Sequence, residues 1–256
     1  MHSFKSIVLC LLVVIAPKAM AQEEEFVFSP DRPGMATGPG VTPFKSVLFE
    51  AGVQYDKAGD DHSLTLPTTL VRVGISRFAE VRVGFDGALS KSGGSKGWNY
   101  SVSLVNFGTK LRVFEGYKAI PEVALMANFA VPCTKSMADK MHVAPSVYAL
   151  FNNDVTDWLS VGYNVGAEWN GEDATPATFV AVCLGANATD NLGFFVESYN
   201  YFIKEKHQSA DCDWNLDFGL NYMVTPRLQL DLYSGINLQH PKEGALIGGG
   251  VAWKIN

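Results

Sequence analysis

Ionisable side chains recur in one phase of an alternating pattern, and that placement sets the chemistry open to them. Glu50, Arg72, Arg82, Asp86, Lys110, Arg112 and Glu122 share the phase in the first half of the chain; Glu168, Asp213, Asp217, Asp231 and Lys254 share it in the second. Glycines and amides fill the remaining positions of that phase, while the opposite phase is Val, Leu, Ile and Phe. Bases early and mostly carboxylates late predict a lumen with a basic wall and an acidic wall, a transverse field that selects polar or charged solutes. A salt-bridged interior that closes a narrow barrel predicts the same residues, and both readings stay open.

Other chemistry has less to build on. His62, His142, His207 and His240 fall at strand ends or in loops, with Ser63, Ser146 and Ser209 nearby, and no spacing demands a catalytic triad. The expectation is therefore no enzyme, with a lipid-active barrel hydrolase as the remote alternative. There is no Cys-x-x-Cys and no metal-ligand spacing, and Gly248-Gly249-Gly250 opens no helix that would make it a phosphate loop. No cofactor or metal is expected. Cys133 and Cys212 lie at loop ends on the same predicted side, so a disulfide is geometrically open beside the alternative of two unrelated thiols. Cys183 reads as a small strand residue.

The elements that position these groups are strands. The chain has 256 residues, 47% hydrophobic and only 18% charged, with 24 glycines; ample apolar surface excludes a disordered chain. Period-two alternation runs through 47–55, 69–75, 80–86, 105–113, 122–131, 143–151, 159–169, 180–186, 193–203, 213–222, 228–238 and 247–255, twelve segments in all. The segment 193–203 is aromatic in both phases, so its facing is open. Connections near 57–61, 90–99, 133–141, 170–177, 204–212 and 239–244 read as long polar loops, and those near 76–79, 115–119, 152–157, 188–192 and 223–227 as tight turns. Tyr55, Trp169 and Trp214 fall outward at the loop ends; Phe151, Tyr222 and Trp253 fall outward at the turn ends. An even number of strands about ten residues long, loops alternating with turns, and two aromatic rows predict an all-β, closed, antiparallel up-and-down transmembrane β-barrel of about twelve strands. Strands cross hydrocarbon only when every backbone group is paired, which closure achieves.

The first 21 residues have the form of an export signal: Lys5, an apolar stretch from Ile7 to Ile15, and the small-residue site Ala19-Met20-Ala21. Residues 22–45 form an irregular leader rich in Pro and Gly, expected as a periplasmic segment or a plug, and residues 46–256 form the barrel. Net charge is −6 overall and −8 without residues 1–21, which carry Lys5 and Lys18. An acidic chain with no basic stripe excludes nucleic acid as a partner. The expected partners are outer-membrane lipid, a small-molecule solute and the barrel assembly machinery, in the outer membrane of a Gram-negative cell. Asp31 and Arg32 could reach into the lumen as an anchor, or form a periplasmic turn in which Asp31 caps its own backbone; the turn is slightly preferred.

Two stretches carry a family resemblance. Ser29-Pro30-Asp31-Arg32-Pro33-Gly34, followed by Leu48-Phe49-Glu50-Ala51-Gly52-Val53-Gln54-Tyr55, resembles the opening of the meta-pathway phenol degradation family, also called outer-membrane transporters and including Bacteroidetes members. Asp31, Arg32 and Pro33 match the family's Thr-Asp-Arg-Pro box, with Pro30 in place of threonine, and Glu50, Gly52 and Tyr55 match its first strand. Residues 159–166, 194–199 with Glu197, 219–222, and 228–235 with Asp231 look similar too, and Glu197 joins the lumen candidates on that ground. The ending Trp253-Lys254-Ile255-Asn256 departs from the aromatic ending usual in such barrels. The resemblance implies a porin-like barrel that passes small molecules, aromatic or hydrophobic ones by its label; a structural or surface-interaction barrel with a blocked lumen is the alternative.

Overall fold

The structure, a computed structural model, describes residues 28–102, 104–133, 142–172, 174–203, 214–241 and 244–255. Thirteen strands follow one another among them: β1 (Val47–Ala58), β2 (Asp61–Gly74), β3 (Ala79–Lys91), β4 (Asn99–Val102), β5 (Val105–Tyr117), β6 (Ile120–Val131), β7 (Ala144–Asp154), β8 (Leu159–Glu168), β9 (Ala177–Asn187), β10 (Leu192–Ile203), β11 (Asn215–Thr225), β12 (Leu228–Asn237) and β13 (Gly244–Lys254). Twelve of them close into an antiparallel ring. β1 pairs with β13 from Leu48↔Lys254 to Ala58↔Gly244, and β2 pairs with β3 on the other side, so the ring has no free edge. The extra strand is β4, which pairs with β3 at Gly87 to Ser90, beyond the point where β5 leaves that partner. Four residues are too few to show alternation, which is why this stretch reads as loop in the sequence.

The exposure pattern is that of a soluble protein turned inside out. Arg72 and Lys110 are 0% exposed, whereas Leu232 is 52% and Leu125 50% exposed. An apolar outer face and buried charge suit hydrocarbon outside and a polar interior. On β10 the structure fixes the facing that the sequence leaves open. Phe195, Glu197 and Tyr199 are buried in one phase, and Phe194 and Val196 are exposed in the other.

Both termini of the described barrel and the short connections lie at one end, here the turn end; the longer connections lie at the loop end. Two details differ from the sequence reading. The connection expected as a loop near 57–61 is a two-residue turn, because β1 and β2 stay paired up to Ala58↔Asp61 and Gly59 takes the left-handed conformation (φ 61°) that closes a tight hairpin. Trp169 follows the end of β8 and lines an interior cavity, its indole N–H donating to the Ala174 carbonyl at 3.1 Å, instead of standing in the outer aromatic row. Tyr222 and Trp253 are outward and exposed. The segment 1–27, which contains the expected signal sequence, lies outside the described residues.

Candidate functional site

The leader runs inside the barrel. It meets the wall at the turn end, where Phe44 bridges Gly74 in parallel and the Lys45 N–H donates to the Gly74 carbonyl at 2.9 Å. From there it forms a loop whose two legs pass the same side chain. Arg72 on β2 donates through Nη1 to the Ser29 carbonyl at 2.8 Å and through Nη2 to the Gly40 carbonyl at 3.1 Å. Backbone this far from regular structure must find its hydrogen bonds elsewhere, and here the lumen wall supplies them.

Arg72 is the centre of the anchor. Its Nε and Nη2 hold the two oxygens of Glu80 at 2.8 and 2.9 Å, the paired geometry a guanidinium favours, and its Nη1 reaches Glu50 at 3.1 Å. Asp31 of the leader completes the group. Its Oδ1 lies 2.7 Å from Lys110 Nζ and 3.1 Å from Arg72 Nη1, and its Oδ2 lies 2.7 Å from Arg82 Nη1. Lys110 also donates to the carbonyls of Gly38 and Gly40 at 2.9 and 3.1 Å. Glu50 in turn accepts the N–H groups of Asp31 and Arg32, and Glu80 accepts that of Thr42 at 2.6 Å. Three bases therefore face three carboxylates, and the leader contributes one of the six charges.

Burial alone would push the Asp31 carboxyl up, but Arg72, Lys110 and Arg82 overcome that and hold it well below the usual carboxylate range. A depressed carboxylate contributes stability that is complete above the unfolded value, about pH 3.9, and lost as pH falls through the folded value. The contribution of Asp31 to leader retention is accordingly expected to stay constant from about pH 7 to about pH 5. The measurement is protease release of the leader compared between wild type and Asp31→Asn at each pH; a gap that closes by pH 5 contradicts it.

Arg32 engages the adjoining stretch of wall, where Thr68, Gly52, Gly250 and Asp231 stand side by side in register on β2, β1, β13 and β12. Its Nε and Nη2 bind the Asp231 carboxylate at 3.0 and 2.9 Å, Nη1 donates to Thr68 Oγ1 at 3.1 Å, and the guanidinium carbon sits 5.8 Å from the centre of the Tyr233 ring. Gly52 on β1 and Gly250 on β13 flank it: a Cβ on either would come 2.5 Å from Nη2. Absence of a side chain at these two wall positions is what lets the guanidinium lie flat. Deeper in, the N–H groups of Met35 and Ala36 donate to Glu197 at 2.6 and 2.8 Å, and Asn164 exchanges two hydrogen bonds with the backbone of Thr37. Gly34 (φ 95°) turns the chain against Glu197, where a Cβ would lie 2.7 Å from the carboxylate.

The preferred sequence reading of Asp31-Arg32, a turn capped by its own Asp31, is thus corrected: the carboxylate bonds three bases on the wall, because a leader inside the lumen meets charge at close range. Separate basic and acidic walls are also not what the structure holds, since Glu50, Glu80 and Asp31 neutralise the bases locally. Arg112 stands apart from Arg72, Arg82 and Lys110, near the turn end, 3.3 Å from Glu115 and 3.9 Å from Glu122. Asp86 accepts the Thr69 N–H at 3.2 Å beside the cavity, and Asp217 faces Glu197 directly across the β10–β11 pair. Lys254 pairs in register with Leu48 at the turn end. Asp213 and Cys212 lie outside the described residues, and with them the choice between a Cys133–Cys212 disulfide and two unrelated thiols. Sequence reasoning missed Glu80, Asn164 and Gln229, whose side-chain amide donates to the Arg32 carbonyl at 3.2 Å. Each sits in the inward phase of its strand, so alternation alone carried the signal.

Above the leader the lumen widens into a cavity of about 570 Å³. Asp31, Arg32 and Met35 form its floor, Arg82, Asp86 and Glu168 stand on its walls, and Trp169 is at the loop end. The volume is in the range of small-molecule sites.

A sequence model of the family described as "Putative MetA-pathway of phenol degradation" matches residues 30–255. No curated protein sequence matches significantly. Among solved structures, the COG4313 outer membrane channel from Pseudomonas putida F1 superposes with a TM-score of 0.62 at 9% identity, covering 84% of this chain and 97% of that one. The NanC porin gives 0.59 at 11% identity, with 81% and 100% covered, and the KdgM porin 0.51 at 11%, with 81% and 99% covered. At these identities the likeness is one of fold: a porin-like barrel.

Proposed function

The chain belongs to the family whose description is the MetA pathway of phenol degradation, and from that premise we propose that it is a passive outer-membrane channel for small molecules. The observation that carries this is the cavity of about 570 Å³ inside a closed barrel, lined by ionisable groups and floored by the leader. A lumen lined by charge sets selectivity, and the concentration gradient drives flux. The solute class is aromatic compounds, on the strength of the family's description. The cell is Gram-negative, the surrounding partners are outer-membrane lipid and the barrel assembly machinery, and Asp86 and Glu168 are the carboxylates that a passing solute meets above the leader. No catalytic role is assigned; His62, for instance, is engaged through Nδ1 by the Tyr55 hydroxyl at 2.7 Å and not by a serine.

One observation favours a second reading, a barrel with a blocked lumen. The leader is fastened to β1, β2, β3, β5, β8, β10 and β12 by the bonds described above. Solute flux into liposomes holding the refolded mature protein decides between the two. Small phenols are expected to enter faster than sugars of similar mass, and faster than into empty liposomes. Tight liposomes, with the protein folded by its heat-dependent gel shift, support the blocked barrel.

A further inference from the structure

The lumen wall facing the cavity has an aromatic corner. Tyr148 on β7, Gly166 on β8, Phe179 on β9 and Tyr201 on β10 stand side by side in register. The Tyr148 ring lies over Gly166, in the space a Cβ would occupy. Tyr148 meets Phe179 edge-on at 6.0 Å, and Phe179 meets Tyr201 at 4.9 Å. One row nearer the loop end, the Glu168 carboxylate is hydrogen-bonded to the Tyr148 hydroxyl. Glu168 and Tyr148 line both the large cavity and a smaller one of about 90 Å³ that continues behind Met35 to Phe179 and Tyr201.

Among the described residues the charge at this corner is unbalanced. Asp31, Glu50 and Asp231 each have a base of their own within 3.1 Å. Glu168 has none among the described residues. A half-buried carboxylate whose close partner among the described residues is a phenol, lining the same cavities as Tyr148, Phe179 and Tyr201, is the chemistry that recognises an organic ammonium. The ammonium donates charge-assisted hydrogen bonds to the carboxylate, and the ring faces attract the cation and cover its apolar body. A neutral aromatic would desolvate Glu168 without pairing it, and an anionic one would be repelled.

We infer that Glu168, with Tyr148, Phe179 and Tyr201, forms a binding subsite for small alkyl- or arylammonium ions. The subsite rests on the channel reading for the route by which such a solute arrives, but not for its binding. Titration calorimetry of the folded full-length mature protein in maltoside micelles tests it, with benzylammonium, benzyl alcohol and benzoate as the probes. Benzylammonium binds about tenfold or more tightly than benzyl alcohol, benzoate binds least, and Glu168→Gln abolishes the preference. Equal binding of benzylammonium and benzyl alcohol by the wild type overturns the subsite even if the variant fails to fold. So does a preference that survives in Glu168→Gln. Flux together with no ammonium preference in the calorimetry overturns the subsite and leaves the channel; ammonium binding without flux supports the subsite and removes the channel.

Discussion

Deleting residues 22–42 is expected to raise the single-channel conductance of the refolded protein several-fold. A twelve-strand ring is intermediate between eight-strand barrels, which side chains fill, and open 16-strand porins, so the wall alone leaves a lumen and the leader is what narrows it. The deletion removes Asp31 and Arg32 together, so Arg72, Arg82 and Lys110 lose one carboxylate while Asp231 loses its base. The two losses offset, and the gain is in conductance more than in ion selectivity. Planar-bilayer recordings of wild type and deletion at matched salt measure it. Asp31→Asn combined with Arg32→Gln, which keeps the leader's length but cuts its ion pairs, should give brief openings of intermediate size. Conductance unchanged in both variants would place the constriction elsewhere.

How much of this was legible in the sequence follows from what each feature depends on. The barrel depends on a local rule, alternation, and strands such as Val105–Tyr117 and Leu228–Asn237 display it plainly. The same rule assigns Arg72, Arg82, Lys110 and Asp231 to the inside. Glu80 obeyed it as well, two residues before Arg82 and in the same phase, and is no less central than its neighbours. Alternation fails where both phases carry similar residues, as on β10, whose inward rings build the aromatic corner and whose outward ones face the surroundings. It is silent about the leader, which has no period. Where that segment lies depends on contacts between residues as distant as Arg32 and Asp231, and a family box of a few residues marks the contact without showing its partner. The ion network was illegible for the same reason: pairing across a closed ring joins β1, β2, β3 and β5 at one level, and the level is set by register and shear, which no single strand reveals.

Replacing Arg72 by Met is expected to be the most destabilising single change in the barrel wall, on the order of 3–5 kcal/mol. Arg72 is fully buried and satisfies Glu80 twice, Glu50 once and two leader carbonyls. Met has similar length and packs as well, so the cost arises almost wholly from carboxylates left without their cation. Glu50 would keep only backbone N–H donors, and Glu80 would keep the Thr42 N–H and the more distant Arg82, 3.6 Å away. Lys at this position restores the charge but not the fork that holds both oxygens of Glu80, so Arg72→Lys should recover only part of the loss. Arg112→Ala is the control, because Arg112 is partly exposed and pairs with Glu115 and Glu122 at the rim, where an ion pair is worth about 1 kcal/mol or less. Urea unfolding in liposomes, followed by tryptophan emission and the heat-dependent gel shift, ranks the three. Adding Glu80→Gln to Arg72→Met should return a substantial part of the stability, since it removes one of the stranded charges. If the double variant is no more stable than Arg72→Met, the loss comes from packing and not from unpaired charge.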